Sequence, residues 1–228
     1  MTIHPNGVAT IDGDQTHGVW CATEGLVHDK WFAAQITKRV FPGDVVVNAG
    51  ANIGTLTKPL LDAGAEVFAF EPNPAAVECL RHNCPRAIIT QAAVGNASGL
   101  AWLNIDASNA GASWLQYSDI PAGEARKDVS ICLTLDSFYP LLEKQIRLIL
   151  ADVEGWETRL LRGAAQTIAR CRPVIICEVN RGALARAGSS DSELLGLIEE
   201  MGYSIRILQP DCRIGDPQLD ILCLPVKA

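Results

Sequence analysis

The chain carries no run of Lys or Arg, no long apolar stretch and no C-x-x-C pair. Each absence excludes a class of function. Acidic residues outnumber basic ones, 26 to 19, giving a net charge of −7; a basic face for a phosphate backbone is not expected, and neither is a nucleic-acid partner. A membrane span needs roughly 20 consecutive apolar residues, and their lack argues against a membrane partner. Residues 1–14 are polar with Gly and Pro, unlike a signal or transit peptide. The eight cysteines, Cys21, Cys79, Cys84, Cys132, Cys171, Cys177, Cys212 and Cys223, stand at no zinc-finger spacing from a His. Cys177 and Cys223 lie in apolar runs, where Cys acts as a small hydrophobe. The set reads as free buried thiols in a reducing, cytoplasmic setting. Internal repeats and low-complexity tracts are also missing. What remains is 228 residues, 48% hydrophobic and 20% charged, enough for one large α/β domain.

Two nucleotide signatures are missing as well: there is no G-x-G-x-x-G for a pyrophosphate and no P-loop Lys-Ser/Thr. In their place, residues 44–54 read Asp-Val-Val-Val-Asn-Ala-Gly-Ala-Asn-Ile-Gly, followed by Phe70-Glu71-Pro72-Asn73-Pro74. An apolar strand breaks into a small-residue turn, and a second strand ends in an acid able to accept from two ribose hydroxyls. This layout suits an adenosine without phosphates, and S-adenosylmethionine is such a ligand. An NAD-type oxidoreductase is disfavoured by the Gly50-x-x-x-Gly54 spacing.

Residues 1–30 read as irregular, with two Gly-rich turns and room for short strands; beyond them, strand-like runs alternate with helical ones. Strands are expected at 45–48, 67–70, 87–91, 146–152 and 173–179, with closing strands at 203–208 and 219–224 that pair antiparallel. Helices are expected at about 30–40 after Asp29, 53–62 with Pro59 shortening it, 75–83 capped by Asn73, and 191–201 capped by Ser190 or Asp191. A single helix from about Gly155 carries Leu160, Leu161, Ala164 and Ile168 on one face. Segments 101–105, 113–116 and 129–133 read as an inserted antiparallel element, with polar loops at 106–112 and 118–128. The pattern predicts a doubly wound α/β sheet with ligands beyond the strand C-termini, where Asn48, Glu71, Asp152 and Glu178 all fall.

At these blocks the chain resembles the FkbM-type S-adenosylmethionine-dependent methyltransferases. The likeness rests on residues 42–54, Phe70 to Pro74, Ala92-Ala93-Val94-Gly95, Thr134-Leu135-Asp136-Ser137-Phe138, Asp152-Val153-Glu154-Gly155-Trp156-Glu157, Leu161 to Ala164, and Glu178-Val179-Asn180. It implies a Rossmann-like seven-stranded methyltransferase sheet, mostly parallel with an antiparallel C-terminal hairpin strand, over residues 41–228, with residues 1–40 as an N-terminal cap segment. It implies methyl transfer to a hydroxyl of a sugar, polyketide or similar small-molecule acceptor. Ala49, Gly50, Ala51, Asn52 and Gly54 would pass under the methionine end of the cofactor, with Asn48 counted among the cofactor-binding residues. Glu71 would hold the ribose, with Asn73 nearby; Gln91, Ala92 and Ala93 would border the adenine; Asp152 would face the cofactor's amino group or the acceptor. The chain departs from the family at Asn48, where Asp is usual, and at Leu150, where many members carry Lys.

A hydroxyl acceptor must lose its proton to a general base or after metal coordination. Asp152 and Glu178 are the candidate bases, with His28 a third if the N-terminal segment folds over the site. Asp152, Glu154 and Glu178 could hold a divalent metal, but the favoured reading assigns none, with Glu154 stabilising the following helix N-terminus. Trp102, Trp114, Tyr117 and Trp156 either line an acceptor pocket or pack in the core. The alternative to an enzyme is a methyltransferase-like domain that binds the cofactor or a nucleoside without turnover. A homo-oligomer is compatible with the sequence, which specifies no oligomeric state.

Overall fold

The structure, a computed structural model, describes residues 1–226 except 28, 107, 108, 110, 112, 117–125 and 139–144. The chain opens with a short antiparallel pair, β1 (Thr2–Ile3) and β2 (Ala9–Thr10), then α1 (His17–Glu24) and α2 (Lys30–Thr37). Next come β3 (Val45–Ala49), α3 (Thr57–Asp62), β4 (Glu66–Phe70), α4 (Pro74–Asn83) and β5 (Ile88–Thr90). An inserted segment holds β6 (Ala93–Val94), β7 (Gly99–Ile105), β8 (Trp114–Gln116) and β9 (Arg126–Leu133). After α5 (Leu135–Phe138) follow β10 (Ile146–Ala151), α6 (Glu157–Arg162), α7 (Ala165–Cys171), β11 (Val174–Asn180), α8 (Arg181–Arg186), α9 (Asp191–Glu200), β12 (Tyr203–Ile207) and β13 (Gln218–Pro225).

Seven strands form one sheet in the order β12-β13-β11-β10-β3-β4-β5. β13 alone runs antiparallel to its neighbours β11 and β12, as the closing-strand pattern predicts. The central strands are near-continuous apolar runs because helices cover both faces. Successive side chains of β3 show this: Val45 and Val47 join a buried cluster with Leu160, Ile168, Leu194 and Ile198, while Val46 joins another with Ile36, Leu60 and Leu80. The inserted sheet has the order β6-β9-β7-β8 and packs on Trp156. No helix among the described residues is long and apolar enough to cross a membrane.

The local chemistry accounts for most boundaries. Asp29 accepts from the Phe32 N–H, Asn73 from Ala75 and Ser190 from Glu193, each satisfying a free helix-start donor. All eight cysteines are free thiols, seven of them buried and Cys212 partly so. Three expectations are corrected. The helix expected from Ile53 begins only at Thr57, because Gly54 turns at φ +105° against Cys84, and Pro59 then sits in the first turn. The single helix after Gly155 is two, α6 and α7, broken after Arg162. There Gly163 lies so close to the Gly95 carbonyl that a Cβ would stand 1.8 Å from its oxygen. Residues 1–30, expected to be irregular, contain α1.

Candidate functional site

The strand C-termini of β3, β4, β10 and β11 converge on a cavity of about 260 Å³. Its first wall is the turn after β3. The Gly50 and Ala51 N–H groups both donate to the Phe70 carbonyl at 3.0 Å, which holds the turn against β4. Gly50 adopts φ +80°, and a Cβ there would fall 1.7 Å from the Asp152 carbonyl oxygen. Asn52 is left-handed at φ +48°, and its N–H donates to Glu71 Oε2 at 2.8 Å. Glu71 Oε1 accepts from the Asn73 N–H, also at 2.8 Å. Burial pushes the Glu71 carboxyl up to about 7, against the pull of those two donors.

The opposite wall is acidic. Asp152 follows β10 and opens to the cavity, yet enclosure by the surrounding strands pushes its carboxyl up to about 6. Glu154, left-handed at φ +53°, is raised to about 7 by burial and by the Asp152 charge, against Arg186. Glu178 on β11 is buried, with Oε1 accepting from Gln218 Nε2. Burial and the charges of Asp152, Glu154 and Glu157 raise it to about 10.

Asp152, Glu178, Gly50, Asn52, Glu71, Ala92 and Ala93 all line this one cavity. Asn48, Ala49, Ala51, Gly54 and Asn73 do not; they hold the turn from behind. Asn48 is buried and its amide donates to Thr57 Oγ1 at 2.9 Å, so it faces α3 and not the cavity. Gly54 packs under Cys84 and Leu80, and Asn73 caps α4. Leu150 is buried between Asn48 and Ile176 in the sheet, on the α2–α4 side. His28 and Tyr117 lie outside the described residues. Trp156 is core, Trp114 stacks against the Arg186 guanidinium at 4.7 Å, and neither reaches the cavity.

The sequence reading missed the remaining walls. Thr16 and Trp20 enter from the N-terminal segment, Asn109, Gly111, Ser113 and Leu115 from the inserted segment, and Gln218 from β13. Glu157 ends the Asp-Val-Glu-Gly-Trp-Glu block. Its side chain is fully buried, and Oε1 accepts from the Val153 and Gly155 N–H groups at 3.1 and 3.2 Å, fixing the loop that presents Asp152 and Glu154. Burial raises its carboxyl from 4.5 to about 8. Between these values the folded protein holds a proton that the unfolded chain has released, so stability falls as pH rises through the window. Glu157→Gln is expected to lessen the fall in melting temperature between about pH 5 and about pH 8. A slope identical to wild type in thermal melts would contradict this account.

The Methyltransferase FkbM domain model matches residues 48–205. The FkbM methyltransferase of Methylobacillus flagellatus KT superposes with a TM-score of 0.54 at 16% identity, over 81% of this chain and 44% of that one. Magnesium protoporphyrin IX methyltransferase from Synechocystis PCC 6803, solved with bound SAM, gives 0.54 at 12% identity, over 96% of this chain and 87% of that one. A ribosomal RNA small subunit methyltransferase A, from Lactobacillus acidophilus, is 47% identical over 47 residues, 21% of this chain and 16% of that protein. The chain thus aligns with about a sixth of the length of that curated relative. A model match over more than half of the residues decides the matter: the chain belongs to the FkbM family of methyltransferases.

Proposed function

We propose that the chain transfers a methyl group from S-adenosylmethionine to a hydroxyl of a small molecule. One observation carries the reading: Glu71 and the Asn52 turn face the Asp152–Glu178 wall across a single cavity. The residues present fit the donor. Asn52 Oδ1 is buried in this wall without a partner among the described residues, and Glu71 keeps lone pairs beyond its two backbone bonds, enough for two ribose hydroxyls. Ala92 and Ala93 are small enough to leave a flat slot for a purine. When bound, the sulfonium supplies an electrophilic methyl group. The chain's own work is to align an oxygen with it, exclude water and remove a proton. Asp152 is the group we assign to the acceptor hydroxyl, because it opens to the cavity while Glu178 is tied to Gln218.

The short match to ribosomal RNA methyltransferases supports a second reading, an RNA acceptor. The net charge of −7 and the acidic wall weigh against it. A turnover screen with radiolabelled donor over sugars, polyketide alcohols, amines and RNA decides among these. Label on an alcohol is the expected outcome, and label only on amines or RNA would overturn the acceptor class. If the protein binds S-adenosylhomocysteine but labels nothing, the non-catalytic binding domain is the correct description.

A further inference from the structure

We propose that Asp152, Glu154 and Glu178 form a binding site for a hard divalent cation in the wall of the cavity. Each offers a carboxylate oxygen, and these three atoms all lie within 4.8 Å of one another. Three points no further apart than this lie at most about 2.8 Å from a common centre, so small side-chain adjustments bring all three to the ~2.3–2.6 Å of a calcium–oxygen bond. The donors are all oxygen, the set that hard cations select. The second observation is independent of the spacing. Glu178 is 7% exposed; Gln218 occupies Oε1, and Oε2 is buried with no partner among the described residues. A buried carboxylate oxygen left unpaired is costly, and a cation beside it removes that cost.

Local cations do not fill the role. Among the described residues, none forms an ion pair with these three carboxylates, and the Arg186 guanidinium that acts on Glu154 is stacked on Trp114. A cation here would hold an acceptor oxygen and ease loss of its proton. That use rests on the methyl-transfer reading above; occupancy of the site does not.

Calorimetric titration of the chelator-treated full chain with calcium chloride tests the site, with no methyl donor or acceptor present. One calcium per chain is expected. Glu178→Gln and Glu154→Gln should each weaken calcium binding tenfold or more. Thermal melts of the wild-type protein with and without calcium provide a reading that needs no variant, and the melting temperature should rise with the metal. No heat and no shift at millimolar calcium, or unchanged calcium affinity in both variants, would overturn the proposal. S-adenosylhomocysteine titrated into the same samples keeps the two readings apart: its failure with calcium still bound sinks only the donor assignment.

Discussion

Gly50→Ala is expected to abolish cofactor binding and to lower the melting temperature by roughly 10 °C or more, a cost on the order of 4 kcal/mol. Two effects add at this residue. A side chain at φ +80° is strained whatever surrounds it, and the new Cβ would stand 1.7 Å from the Asp152 carbonyl oxygen. Nothing flexible can yield, because the obstructing atom is backbone at the end of β10, a strand hydrogen-bonded to β3. Relief requires parting the two central strands at the end where the site is built. The turn would also lose the paired Gly50 and Ala51 bonds to Phe70. Gly196→Ala in α9 is the contrast: nothing lies within 4 Å of the added carbon, and its φ is not in the left-handed range. It should leave stability unchanged or raise it by about 0.5–1 kcal/mol. Similar melting temperatures for the two variants would refute this account of the turn.

Glu71→Ala should weaken S-adenosylhomocysteine binding on the order of a hundredfold, about 3 kcal/mol, because two bonds to a charged acceptor disappear. The loss reaches further than the ligand. The Asn52 and Asn73 N–H groups both lose their acceptor, and the left-handed Asn52 loses the bond that holds it. Asn48→Ala should cost less than about fivefold in binding, since its amide bonds to Thr57 inside the fold. Affinity should also fall as pH drops through about 7, where the raised Glu71 carboxyl takes up its proton and becomes a poorer acceptor. Equal losses for the two variants in a titration, or a flat pH profile, would remove Glu71 from the ribose role.

Much of this fold is legible in the sequence because parallel strands buried on both faces cannot alternate. Val45–Val47, Leu148–Ala151 and Val174–Cys177 therefore stand out as apolar runs, and the polar residue after each, Asn48, Asp152 and Glu178, marks the site end. Caps were equally readable, since Asp29, Asn73 and Ser190 act on donors only two or three residues away. What stayed hidden depends on contacts distant in the chain. Gly163 at the end of α6 is the one local sign of a break, but what fixes it lies far off: Gly163 packs on Gly95, and Asp136 caps α7 through the Gln166 and Thr167 N–H groups. The Leu-Asp-Ser-Phe block thus builds structure, with Phe138 edge-on to Phe70 at 5.1 Å. Asn48 sits at a strand end like Asp152, yet packs inward on Thr57. The partner of each strand-end residue was not legible, and so neither was the division between those that face the cavity and those that support it.

The side-chain amide of Asn83 donates to the carbonyls of Ala9 and Ile53 and accepts from the Ala9 N–H. One residue thereby joins the N-terminal segment, which brings Thr16 and Trp20 to the cavity, to the glycine turn beneath the proposed donor. Under the proposed reading, recognition of the acceptor and grip on the donor are mechanically linked. Replacing the N-terminal segment to change acceptor preference would therefore alter donor affinity too, unless the graft keeps a backbone amide and carbonyl where Ala9 now presents them.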